Sequence, residues 1–459
     1  MSRAKSFFAR VRRRAFEPVD NASLIFFRVA FGALMFWEAY RYFKDGWIAH
    51  YWIKPRFFFT YYGFSWVHPW PGNGMYIHWA ILGLVALFIA AGFLYRFSII
   101  IFFLGFTYSF LLDQTNYLNH FYFICLLSFL LIFLPANRAL AIDAVLWPAL
   151  RSQTAPAWTV WLVRTQVGVV YFFAGVAKLS PDWLSGETIR AFLAGGGQLA
   201  VIESLIGRER LPYLLTYGGL FLDLLIVPAL LWRRTRVAAF CVAVIFHLLN
   251  ARLFSIGVFP WLSIAATTLF LSPSWPRKLT GVMLPPATRT FSSETPPPSE
   301  RKQVMILSLV GLYAAIQLLV PLRHFLYPGS TDWTYQGHRF SWRMLLLERN
   351  ATSEFVVTDP NVGTTVRIDP IQFLTPKQVS KMGPRPDMIL QFAHHLAAVL
   401  PRAGPKPLQV RARVSVSLND RKPQLLVDPN VDLAAEKRSL RPANWILPRS
   451  DNDVEPLNR

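Results

Sequence analysis

The chain has 459 residues, of which 53% are hydrophobic and only 16% charged, with a formal net charge of +21. The apolar residues come in long unbroken runs, which excludes an ordinary water-soluble enzyme and ties the positive charge to membrane sidedness. The basic residues are spread between those runs and form no single patch for a nucleic acid. Both cysteines, Cys125 and Cys241, fall inside apolar runs, so neither a disulfide framework nor a cysteine-based metal site is expected.

Residues 1–20 carry Arg3, Lys5, Arg10, Arg12, Arg13 and Arg14 ahead of the first apolar run, which predicts a cytoplasmic N-terminus. The run from Ala22 to Tyr42 is too long for a signal-peptide core and reads as an uncleaved anchor. With about 15 to 20 residues per span as the yardstick, spans are predicted near 22–42, 76–95, 98–112, 119–135, 158–178, 212–232, 237–250, 254–272 and 304–325. The seventh and eighth are short enough to form a re-entrant pair, which leaves the sidedness of the rest unchanged. Between the first two spans, His50 to Trp70 is rich in aromatics and reads as an interfacial loop or short amphipathic helix. Arg96, Arg138, Arg151, Arg233, Arg234, Arg236, Arg277, Lys278, Arg301 and Lys302 all fall in loops on the N-terminal side of this arrangement.

The proline-rich stretch from Leu284 to Glu300 reads as an extended linker, and beyond Pro328 the composition turns soluble. Val410 to Leu418 alternates as a half-buried strand followed by an Asn419-Asp420 turn, Phe355–Val357 and Thr365–Ile368 suggest a hairpin, and Pro386 to Leu400 reads as an amphipathic helix. The expected fold is therefore mainly α: a polytopic membrane helix bundle of about nine spans over residues 21–326, with a small α+β extracytoplasmic module over residues 327–459.

Lys178 closes the apolar run Val169–Ala177. A buried amine is pushed toward its neutral form and becomes a usable general base. The competing reading is an anchor whose head reaches the lipid headgroups, or an ammonium held charged by Asp182 four residues on. Asn119 and His120 open the fourth predicted span, while His247 and Asn250 end the seventh, so span parity brings all of them to the same membrane face as Lys178. Tyr171, Phe172, Phe121 and Tyr122 surround these groups in sequence, as the lining of an aromatic ligand pocket or as an ordinary interfacial belt. No Gly-rich phosphate loop and no metal-ligand spacing is present.

Gly175-Val176-Ala177-Lys178-Leu179 with Asp182-Trp183, Phe246-His247-Leu248-Leu249-Asn250, Leu253-Phe254-Ser255-Ile256-Gly257 and Ser272-Pro273-Ser274-Trp275-Pro276-Arg277-Lys278-Leu279 resemble, in order, segments of the vitamin K-dependent γ-glutamyl carboxylases. Asp332-Trp333-Thr334, Ser341-Trp342, Val416–Arg421 and Val427–Asp432 continue the likeness. The resemblance implies that Lys178 deprotonates vitamin K hydroquinone and that His120 serves the later glutamate carbanion step. It further implies that the quinol anion reacts with O2 to give a base that takes a γ-proton from glutamate. CO2 is then captured and vitamin K epoxide released, with no biotin, ATP or metal. The family's first lysine is replaced by Ala177, so burial alone is expected to neutralise Lys178. The family's animal members continue through a longer lumenal portion, so the likeness does not extend to propeptide recognition.

These residues lead to a membrane vitamin K-dependent carboxylase and epoxidase, using reduced vitamin K, O2 and CO2 on a glutamate-containing protein or peptide. The expected location is the bacterial inner membrane in a prokaryote or the endoplasmic reticulum in a eukaryote. Two alternatives stay open: a quinol oxygenase that carboxylates nothing, and a non-catalytic quinone- or lipid-binding membrane protein.

Overall fold

The computed structural model describes residues 2–194, 203–204, 206–254, 256–279, 298–344, 347–419 and 421–450. Most of the predicted proline linker, together with Ser255 and the Asp420 half of the predicted turn, lies outside the described residues.

Each long apolar run is a helix, and shorter or polar helices lie between and before them. In chain order these are α1 (Ser2–Ala15), α2 (Ala22–Lys44), α3 (Gly74–Ala91), α4 (Tyr95–Leu111), α5 (Asn119–Phe133), α6 (Ile142–Leu146), α7 (Ala157–Ala177), α8 (Pro181–Leu184), α9 (Glu187–Ala194), α10 (Arg210–Leu231), α11 (Arg236–Leu253), α12 (Phe259–Thr267), α13 (Trp275–Leu279) and α14 (Glu300–Leu322). Among the described residues six helices, α2, α3, α7, α10, α11 and α14, are long and apolar enough to cross a membrane. Three further predicted spans are the shorter apolar helices α4, α5 and α12 with its 3-10 extension to Phe270. The protein itself buries 67% of the most apolar window of α7 but only 11% of that of α14 and 17% of that of α11. Helices that are apolar all round yet so little covered by protein need lipid as their solvent.

Close packing is permitted by glycine at two crossings. A Cβ at Gly32 of α2 would lie 2.5 Å from the Ala90 nitrogen and 2.6 Å from the Ala86 oxygen of α3. A Cβ at Gly175 of α7 would lie 2.6 Å from Leu224 Cδ2 and 3.2 Å from the Leu224 nitrogen of α10. The second approach matters for the site, because it sits one turn before Lys178. Away from it, the buried Arg28 of α2 donates to the carbonyls of Ala90, in the last turn of α3, and of Ala136 and Leu140, in the loop after α5, satisfying acceptors that lipid cannot. Asp143 of α6 likewise accepts from the backbone nitrogens of Leu94 and Tyr95 at the start of α4.

The C-terminal module is a four-stranded antiparallel sheet in the order β4-β3-β5-β6, formed by Arg349–Asp359 (β3), Thr364–Ile368 (β4), Gln409–Leu418 (β5) and Gln424–Leu425 (β6); β1 (Pro18–Asp20) and β2 (Thr154–Pro156) pair in the membrane domain. The alternation read in β5 places Val410, Ala412, Val414, Val416 and Leu418 inward, against the helix Pro386–Val399. That inner face closes on the helix through Phe355 and Phe392, whose ring centroids are 4.9 Å apart.

The segment after α2 is largely irregular and forms no amphipathic helix. It starts as a single π-helical turn, Ala49–Ile53, and then runs irregularly to α3, with Phe59 fully buried in the core of the module. Its inner aromatics Trp52, Phe59 and Tyr61 pack against protein, fastening the module to the helices, while Tyr62, Phe64, Trp66 and Trp70 stay exposed on its outer side.

Candidate active site

Lys178 is the C-cap of α7 and is only 6% exposed. A charge in that position needs a partner, and α10 supplies it: Nζ is 2.6 Å from Asp223 Oδ2, with the Ala174 carbonyl at 3.4 Å and the Trp183 ring centroid at 5.2 Å. The Gly175 contact with Leu224 is what lets the two helices come close enough for this pair. Trp183 is held in turn by donation from its Nε1 to the Thr216 carbonyl, 3.0 Å away.

The pair opens onto a cavity of about 710 Å³ walled mainly by apolar side chains of α5, α7, α10, α11 and α12. Its volume and character are those of a small-molecule pocket, apolar with a few convergent polar groups. Asn119, His120, Tyr171, Lys178, His247 and Asn250 all line it. These residues, which come from separate helices, thus share one chamber. His247 is fully engaged on one side, its Nε2 lying 2.6 Å from the Tyr171 hydroxyl, while its Nδ1 is buried without a partner. His120 makes no hydrogen bond among the described residues. It packs against Phe121 and Phe259, and Phe259 also meets His247, so one ring separates the two imidazoles. Asn119 accepts from the Tyr117 hydroxyl at 2.9 Å and donates to the Arg343 carbonyl at 3.3 Å, which joins the start of α5 to the segment bearing Arg343 and Met344 over the cavity.

Four sequence-read residues belong elsewhere. Phe172 is 50% exposed, because one residue beyond Tyr171 is a rotation of about 100° to the outer side of α7. Phe121 turns toward Phe106 of α4, and Tyr122 stacks on Trp342 and meets Phe340 edge-on; neither lines the cavity. Asp182 does not pair with Lys178. It lies 2.7 Å from Arg421 and 3.7 Å from Arg449, and together with the Glu187–Arg421 bridge it clamps the module to the segment after α7.

Asp223 is the residue that sequence reading missed. It is the one acidic side chain between Leu211 and Leu231, and an ionisable group inside a span is itself a flag for function. Its presence also replaces the expectation that burial alone acts on Lys178, since a buried carboxylate lies 2.6 Å from the amine.

Residues 16–275 match the HTTM domain family, more than half of the chain, and residues 302–452 match the lumenal domain of vitamin K-dependent gamma-carboxylase. The chain belongs to the vitamin K-dependent carboxylase family. No solved structure matches it. In this family member the two matched regions meet at the cavity: its helical walls lie in the HTTM region, while Arg343 and Met344 lie in the lumenal region. The carboxylase-family chain is accordingly a membrane protein bearing an extracytoplasmic type of module.

Proposed function

We propose that the protein is an integral membrane carboxylase that couples oxygenation of a reduced naphthoquinone of the vitamin K type to γ-carboxylation of glutamate in a protein or peptide. The observation that carries this reading is the convergence of Lys178 with Asp223, His120 and the Tyr171–His247 pair on one apolar cavity. A bicyclic quinol with an apolar tail suits a chamber of about 710 Å³ whose walls are mostly hydrocarbon and aromatic. When bound, the reduced quinone supplies the reaction with O2 that generates a base strong enough for a glutamate γ-proton.

Lys178 Nζ is the proton acceptor in this proposal. As an ammonium it accepts nothing, so the pair must first rearrange. Transfer of a proton along the 2.6 Å contact from Nζ to Asp223 Oδ2 leaves an amine and a carboxylic acid with no change in net charge. That neutral form is favoured wherever a bound ligand strips the remaining water from the pair. His120, with an imidazole free of hydrogen bonds and facing the same space, serves the proton handling of the carboxylation half. Tyr171 and the His247 Nε2 fix one another and orient the far wall.

In the membrane, six long helices and the three shorter apolar ones serve as nine spans, with the basic N-terminus in the cytoplasm. The cavity then lies toward the extracytoplasmic face, where a protein substrate arrives. The test supplies purified protein with reduced vitamin K, labelled CO2 and a glutamate peptide. Epoxide together with label in the peptide supports the proposal. Epoxide without label sinks the carboxylase half, and neither product sinks both.

A further inference from the structure

Beside the apolar cavity, and sharing Arg343 with it, lies a second pocket of about 220 Å³ with the opposite chemistry. Its walls carry four cationic side chains, Arg343, Arg349, Lys381 and Arg385, against one carboxylate, Asp332. Asp332 is already committed, bound bidentately by Arg343 at 2.7 and 2.8 Å. The other three cations have no acidic partner among the described residues. Arg349 Nη2 donates to the carbonyls of Trp333 and Pro384, leaving Nε buried without an acceptor, and Arg385 reaches the Lys381 carbonyl and Tyr335, neither of them a carboxylate. The Lys381 ammonium group makes no hydrogen bond or ion pair among the described residues.

The centre of the cluster is aromatic. The guanidinium carbons of Arg349 and Arg385 sit 5.0 and 4.8 Å from the Tyr335 ring centroid, and the His338 ring stacks on that ring at 4.1 Å. His338 Nδ1 is a further buried atom without a partner. Tyr335 is held with φ of +59°, in the left-handed region that non-glycine residues seldom adopt, to present its face to the arginines. Burial works to raise the Tyr335 phenol, but the charges of Arg385, Arg339 and Arg349 outweigh it and the group lies below its ordinary value. So much positive charge, fixed by packing and left with open donors, is costly unless an anion completes it.

We propose that this pocket binds a carboxylate of the acceptor peptide other than the one that reacts, so that the protein selects acidic segments carrying at least two carboxylates. The inference rests on the carboxylase reading above and specifies its substrate. A carboxylate suits the site because arginine forks bind it in the plane, and the walls belong to the module's own β3, helix Pro376–Met382 and the turn Thr331–Thr334, on the side from which a peptide comes. Arg343 borders both spaces, so a peptide anchored in the basic pocket presents a neighbouring residue to the Lys178 chamber.

The test measures binding of a fluorescent peptide with two nearby glutamates to the full-length protein in detergent, without quinone, against the same peptide with one glutamate changed to glutamine. The two-glutamate peptide is expected to bind about tenfold more tightly, the worth of one good charge-assisted contact. Arg385→Gln is expected to erase that preference, as is Lys381→Gln, whose exposed side chain holds nothing in the fold together. Equal binding of the two peptides to the unaltered protein overturns the proposal. So does a preference that survives both substitutions, or inorganic phosphate occupying the pocket in a form the two-glutamate peptide cannot displace. Incorporation of labelled CO2 into a glutamate peptide by the unaltered protein with reduced vitamin K tests the carboxylase reading separately, so the two fail independently.

Discussion

Lys178 and Lys377 are both amines drawn out of water near an aspartate, one at the cavity and the other at the seam where the module meets the loop after α4. At the seam, Lys377 donates to Asn116 Oδ1 at 2.6 Å and lies 3.6 Å from the Tyr51 ring centroid. The neighbouring Asp113 accepts from the Thr115 nitrogen and from Gln378 Nε2. Every charge there is answered by a polar atom of the fold. At the cavity, Lys178 has one strong partner, His120 has no hydrogen bond and His247 Nδ1 has none. Similar residue types are thus structural where their hydrogen-bonding capacity is used up, and candidates for chemistry where part of it faces an apolar chamber.

The sharpest way to break this contrast is to remove the cavity amine. Lys178→Ala is expected to lower epoxide formation about 10³-fold, the middle of the range for a lost general base. Asp223→Asn leaves a buried ammonium without its counter-charge and is expected to cost about 3–5 kcal/mol of stability as well as activity. The double substitution separates the roles: thermal stability returns toward that of the parent while epoxide formation stays lost. Normal turnover by Lys178→Ala would make the cavity pair as structural as the seam.

Gly175→Val strikes the same pair from outside. Its Cβ would meet Leu224 at 2.6 Å, including a backbone atom at 3.2 Å, so α7 and α10 must separate. Overpacking of this kind costs about 1–3 kcal/mol, and the displaced Lys178–Asp223 contact should depress epoxide formation well beyond what the stability loss explains. Activity unchanged at full stability would show that the pair does not need this approach.

His120→Ala is expected to act selectively, reducing label incorporation about 10²-fold while epoxide formation changes far less. Equal loss of both products would instead mean that the substitution damages the quinone-binding walls, where His120 packs on Phe121 and Phe259.

The helices were legible because hydropathy survives any rotation about the helix axis; the pocket was less so because its lining depends on that rotation. Lys178, His120, His247 and Asn250 stood out as polar groups at the ends of apolar runs. Tyr171 and Phe172 are equivalent in composition, and only packing decides that one faces the chamber and the other lipid. The Lys178–Asp223 pair spans 45 positions of sequence, and its formation depends on a glycine one turn away whose meaning appears only when Leu224 is opposite it. The basic pocket was invisible for the same reason: Arg343, Arg349 and Arg385 come together only when β3 and the segment before the Pro386–Val399 helix pack on the turn at Asp332.

The smallest expected effect lies at the seam and concerns pH. Burial raises the Asp113 carboxyl from 3.8 to about 6, against the hydrogen bonds from Thr115 and Gln378 that favour its charge. The folded state therefore holds a proton that the unfolded state has released, so this group's contribution is full below its unfolded value and is lost as pH rises through about 6. Burial lowers Lys377 to about 8, while nearby Asp113 favours its charged form; its own contribution runs the opposite way, present above its unfolded value and lost as pH falls through about 8. Near neutral pH both groups are charged and their attraction offsets part of each penalty. Asp113→Asn removes the carboxylate penalty but also that attraction, so the net gain in stability near pH 7.5 is expected to be only about 1–2 kcal/mol. The gain should fade toward about pH 4, where the parent's Asp113 is already neutral. Thermal unfolding of both proteins across that range measures it, and a difference that does not change with pH would show that Asp113 keeps its charge throughout and that the seam, like the cavity, holds an ion pair.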